Sequence, residues 1–108
     1  MIINMKNPGP FVQYKLEGAC LSFRDGELMV DLIQYQRDFP FHLEISENGS
    51  GKLVAGTSRR YVAELDIPAR EYTIHKGEKD DMGFPMLTKT AVPLDINKVS
   101  LTLWSVEV

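Results

Sequence analysis

The stretch Ala19-Cys20-Leu21-Ser22-Phe23-Arg24-Asp25-Gly26-Glu27-Leu28-Met29-Val30-Asp31-Leu32 decides the fold class. Asp-Gly suits a two-residue hairpin loop because both central positions of the favoured turn need positive φ. With Asp25-Gly26 as that loop, Arg24 faces Glu27, Phe23 faces Leu28, Leu21 faces Val30 and Ala19 faces Leu32. The apolar partners then share one face, and the pair beside the loop carries opposite charges.

Towards the N-terminus, Val12, Tyr14 and Leu16 alternate with Gln13, Lys15 and Glu17, the period of a half-buried strand. Gly18 is expected to mark a bulge before the Ala19 to Phe23 strand. Asn7-Pro8-Gly9-Pro10 separates a short N-terminal arm, residues 1–10, from a single β domain over residues 11–108. Towards the C-terminus, the return strand Leu28 to Leu32 is expected to continue through Ile33 and Tyr35, because Val30, Ile33 and Tyr35 favour strand over helix.

Further alternation follows. Phe39, Phe41, Leu43 and Ile45 oppose Pro40, His42 and Glu44, and Pro40 points to a strand start or an edge. Leu53 and Ala55 make a weak return strand after the Asn48-Gly49-Ser50-Gly51 turn. Tyr61, Ala63, Leu65 and Ile67 oppose Val62, Glu64 and Asp66, while Tyr72 and Ile74 oppose Glu71, Thr73 and His75. Residues 76–83 are expected to be the most exposed connection. Met86 to Val92 reads as extended, and a last run sets Val99, Leu101 and Leu103 against Trp104 and Val106. This pattern predicts an all-β protein with little or no α-helix, arranged as a single antiparallel β-sandwich, with a small β-barrel as the alternative.

A chain of 108 residues that is 44% hydrophobic can build one core without disulfides or a structural metal. Its formal charge is −3 and its basic residues are scattered except for Arg59-Arg60, so no nucleic-acid partner is expected. Cys20, the sole cysteine, falls in the first hairpin and reads as a small hydrophobe. There is no long apolar run and no basic start followed by an apolar stretch, so neither a membrane partner nor export is expected. These features point to a cytoplasmic protein or a non-secreted component of a larger assembly.

Chemical motifs are sparse. Gly49-Ser50-Gly51-Lys52 resembles the end of a phosphate loop, but Ser46 and Leu53 stand where that loop needs a glycine and a hydroxyl. His42 lies on a polar strand face, and Glu64 and Asp66 share one face as an ordinary polar stripe. Arg59, Arg60 and Arg70 flank that strand and are candidates for an anion site. His75, Asp80 and Asp81 form a candidate polar site, although the acidic cluster lacks calcium-loop spacing. No catalytic set, metal site or cofactor is read from these residues. Trp104, Val106 and Val108 present an apolar face suited to an interface.

The expectation is therefore a non-catalytic structural or protein-interaction module, with another protein or another copy of itself as partner. The alternative is binding of a small molecule, carbohydrate or anion, or a small hydrolase-like enzyme using loop residues.

Overall fold

The computed structural model describes residues 1–105. Its strands are β1 (Ile2–Met5), β2 (Tyr14–Glu17), β3 (Cys20–Phe23), β4 (Leu28–Asp31), β5 (Phe41–Glu47), β6 (Leu53–Ala55), β7 (Arg60–Ile67), β8 (Tyr72–Lys79), β9 (Pro85–Ala91) and β10 (Ser100–Leu103). One helical turn, α1 (Leu32–Tyr35), and a single 3₁₀ turn at Ile96–Lys98 interrupt them. The largely helix-free, all-β character read from the sequence is present. No helix among the described residues is long and apolar enough to cross a membrane.

The single sandwich, and the barrel offered beside it, are not the architecture. The strands form three separate sheets: a five-stranded sheet in the order β1-β10-β7-β5-β6, a three-stranded meander β2-β3-β4 and an isolated hairpin β8-β9. Its β1-β10 pairing is parallel and its other pairings are antiparallel. The molecule measures 67 × 23 × 21 Å, and its radius of gyration is 18.7 Å. A compact chain of this length would have a radius near 13 Å.

The β8-β9 hairpin accounts for the departure. Apart from half-buried Tyr72, its strand residues are exposed. The expected connection over residues 76–83 is shorter than the sequence suggests, because Lys76 to Lys79 continue strand β8, and Ile74, which alternates with Thr73 and His75, is exposed. β-forming residues also sustain a ribbon with neither face covered.

The Asp25-Gly26 hairpin has the register its sequence implies, with Phe23 opposite Leu28 and Leu21 opposite Val30. Asp25 and Gly26 take φ of 56° and 85°, and the amide of Glu27 donates to the carbonyl of Arg24. Gly18 is not a bulge within one strand: with φ of 59° it reverses the chain, so β2 folds back on β3. Likewise β4 does not continue through Ile33 and Tyr35. The Asp31 carboxylate accepts from the amide of Ile33 and caps a helical turn, overriding the weak strand preference there.

Leu21, Phe23, Val30 and Leu32 join Ile45, Val62, Leu65 and Leu101 in one buried cluster spanning the two larger sheets. Polar ties reinforce that union. Arg24 donates to the carbonyl of Gly51 at 2.9 Å and pairs with Glu47, while Glu27 accepts from the amide of Leu53 at 2.9 Å. Inward residues of β5, β7 and β10 lie side by side: Leu43 opposite Leu65, and Leu65 opposite Leu101. The other face of the five-stranded sheet is consequently polar, and it carries the site described next.

Candidate functional site

Strand pairing brings together residues that sequence distance keeps apart. In the β5-β7 register, His42 lies opposite Asp66 and Glu44 opposite Glu64. All four project from the face away from the core, since their neighbours Leu43, Ile45, Ala63 and Leu65 fill the inward face. Placing Glu44 directly opposite Glu64 sets like charges side by side, an unfavourable cross-strand pair by itself.

His42 lies between them. Its Nε2 is 3.8 Å from Glu44 Oε1 and 3.7 Å from Glu64 Oε1, while its Nδ1 is 2.7 Å from Asp66 Oδ1. An ionised carboxylate only accepts, so Nδ1 carries the proton in the Asp66 hydrogen bond. In neutral imidazole this leaves the Nε2 lone pair directed at the two glutamates. The hydrogen bond to Asp66 is the main influence raising the His42 pKa above its usual 6.5; partial burial opposes it, and the charges of Asp66, Glu64 and Glu44 add to the rise.

Both glutamates are held from behind. Thr57 donates its hydroxyl to Glu44 Oε2 at 2.6 Å, and the Trp104 indole Nε1 donates to Glu64 Oε2 at 3.1 Å. Thr57 reaches Glu44 because Gly56, at φ 128°, turns the chain after β6 and donates its amide to the Glu44 carbonyl. Trp104 is anchored by its own amide bond to the carbonyl of Val62, and the Lys6 ammonium lies over its ring.

Within the described residues, His42, Glu44 and Glu64 form a group whose ligand atoms all lie within 4.8 Å of one another. A tetrahedral metal with nitrogen and oxygen bonds of about 2.0–2.2 Å holds its donors about 3.4 Å apart. The two His42–glutamate distances are within a few tenths of an ångström of that spacing, and the two glutamate oxygens, within 4.8 Å of each other, reach it by side-chain rotation. His42 is exposed, whereas Glu44 and Glu64 are half-buried.

The residues singled out from sequence are spread over the molecule. Arg60 begins β7 and bridges to Glu47 at 2.7 Å, with Arg59 beside it against the Glu47 to Gly51 loop. Arg70 follows the other end of β7, roughly 23 Å away by strand length, where it binds Asp38 and the carbonyl of Gln36. His75 lies on β8 near Thr73. Asp80 accepts from the amides of Met82 and Phe84 and shapes the β8-β9 turn, which also holds Asp81. Trp104 contributes to the histidine-glutamate site, while Val106 and Val108 lie outside the described residues.

The outer face of the three-stranded sheet carries a shallow depression of about 330 Å³, lined by residues including Tyr14, Lys15, Glu17 and Met29. Lys15 and Glu17 there pair with each other at 2.7 Å. Comparison of the chain with protein-family models, curated proteins and solved structures finds no match, so the functional reading rests on the residues themselves.

Proposed function

We propose that this protein is a ligand-binding domain whose outer sheet face takes a divalent transition-metal ion through His42 Nε2, Glu44 Oε1 and Glu64 Oε1. The carrying observation is the orientation of His42: Asp66 holds Nδ1 and turns Nε2 towards both carboxylates. An imidazole fixed by a carboxylate on its other nitrogen is the usual arrangement of a metal-ligating histidine. The hydrogen bonds from Thr57 and Trp104 do the same for the glutamates.

A cation also answers the cost of facing Glu44 with Glu64, because its charge converts their repulsion into shared attraction. One imidazole and two carboxylates suit zinc or a neighbouring first-row divalent ion, whereas calcium and magnesium favour all-oxygen shells. Three protein ligands leave coordination positions for water or an exogenous group. This reading favours ligand binding over a purely structural module.

Trp104 provides the test, being the only tryptophan in the chain and bonded to a proposed ligand. Titrating tag-free protein with Co²⁺ should quench its fluorescence saturably at one ion per chain. Zn²⁺ should displace the cobalt and Ca²⁺ should not. Undiminished quenching in His42→Ala, or none in the wild type up to millimolar Co²⁺, would reject the site.

A further inference from the structure

The β5-β6 turn and the start of β7 border an open depression of about 430 Å³, lined by Glu47, Asn48, Gly49, Gly51, Arg59 and Arg60. That volume falls within the range of small-molecule sites. The turn holds its own shape: Asn48 Oδ1 accepts from the amides of Ser50 and Lys52 at 2.9 and 3.0 Å, and the Asn48 carbonyl accepts from the amide of Gly51 at 3.0 Å. Arg59 lies across it. A Cβ added at Gly49 would stand 3.4 Å from Arg59 Nη1 and 3.8 Å from its Cδ. Gly49 is not among the positive-φ glycines, so its missing side chain gives room to Arg59 and is not demanded by the backbone.

The charges around the depression leave one guanidinium over. Glu47 is shared by Arg60, at 2.7 Å, and Arg24. Glu27 is taken by Arg24 and the Leu53 amide, and Glu44 by Thr57 and His42. Asp25 and Lys52, on the neighbouring turns, contribute one charge of each sign. Among the described residues, Arg59 has no ion pair or hydrogen bond.

We infer that Arg59, backed by Arg60, binds the carboxylate of a small organic acid in this depression. A guanidinium presents parallel N–H donors that match the two oxygens of a carboxylate, and Arg59 offers them beside a fixed turn with no internal acceptor. The lining holds no large apolar side chain, so the charged head group is what it recognises. Phosphate is the poorer occupant. The amides of Ser50, Gly51 and Lys52 are spent on Asn48, which leaves no nest of N–H groups for a tetrahedral anion. With Glu47 on the wall, a singly charged group also meets less repulsion than a doubly charged one.

Titration of metal-free protein with benzoate at constant ionic strength, followed by ¹H–¹⁵N spectra, tests the inference through Arg59 Nε and the Gly49 amide. Both signals should move saturably, with a dissociation constant of roughly 0.1–10 mM. Inorganic phosphate should bind at least fivefold more weakly. Arg59→Ala should abolish the saturable movement at Gly49, and Arg59→Lys, which keeps the charge without the fork, should weaken benzoate at least fivefold. Trp104 emission should stay unchanged in both variants, since Arg59 is exposed. No saturable movement in the wild type up to about 100 mM benzoate, or the same movement in Arg59→Ala, overturns the site. Arg59→Lys binding as tightly as the wild type overturns recognition by the fork, and phosphate binding as tightly as benzoate overturns the carboxylate assignment. Metal is absent from these titrations, so the inference fails or stands apart from the ion site.

Discussion

Glu44 and Glu64 show how a residue can be unfavourable for the empty protein and useful for its site. Their direct opposition across β5 and β7 is a like-charge pair, and such pairs typically cost about 0.2–1 kcal/mol. Glu64→Gln should therefore stabilise the metal-free protein by about 0.5 kcal/mol in urea unfolding at pH 8 while weakening cobalt quenching at least tenfold. Equal or reduced stability would show that the repulsion is already relieved by the Thr57, Trp104 and His42 contacts. Some of this site was legible in the sequence. Period-two alternation puts His42 and Glu44 on one polar face, and Glu64 and Asp66 on another. What alternation cannot reveal is that the two strands are neighbours in a register setting His42 against Asp66, because register depends on pairing between distant segments.

The hairpins at the element scale divide along the same line between local and distant causes. Asp25-Gly26 was legible because its turn chemistry and flanking pairs lie within a few residues of each other. Gly18 was legible as a special backbone position but not as a chain reversal, since a bulge and a tight turn both use positive φ. An added Cβ at Gly18 meets nothing within 4 Å, so the cost of Gly18→Ala is purely one of backbone conformation. It should destabilise the protein by about 1 kcal/mol in urea unfolding. An unchanged midpoint would mean the β2-β3 turn relaxes to another conformation. The extended backbone of β8 and β9 was legible in their strand-forming residues, but their exposure was not, since burial depends on whether another layer covers them.

Across the whole molecule, the two larger sheets are joined by a shared apolar cluster and by Glu47, which pairs with Arg24 from the meander and Arg60 from β7. The hydrogen bond from Arg24 is the main influence holding the Glu47 carboxyl below its usual 4.5; burial opposes it, and the charges of Arg60 and Arg24 lower it further. A carboxyl with a depressed folded-state pKa stabilises above its unfolded value and loses that contribution as pH falls through its folded one. Glu47→Gln should therefore cost roughly 1 kcal/mol at pH 7, and the gap from wild type should close as pH falls below the ordinary carboxyl value and through the lowered folded one. A gap independent of pH would assign Glu47 a packing role instead. The elongated shape was not legible in the sequence, because composition measures the capacity to build a core and not which strands share it.

If His42, Glu44 and Glu64 act together as a metal site, isothermal titration of Zn²⁺ into metal-free protein should show one saturable site per chain. That site should be lost in His42→Ala and in Glu44→Gln/Glu64→Gln, and retained when the other histidine is removed as His75→Ala. Absence of binding in the wild type, or binding that survives loss of His42, would contradict it.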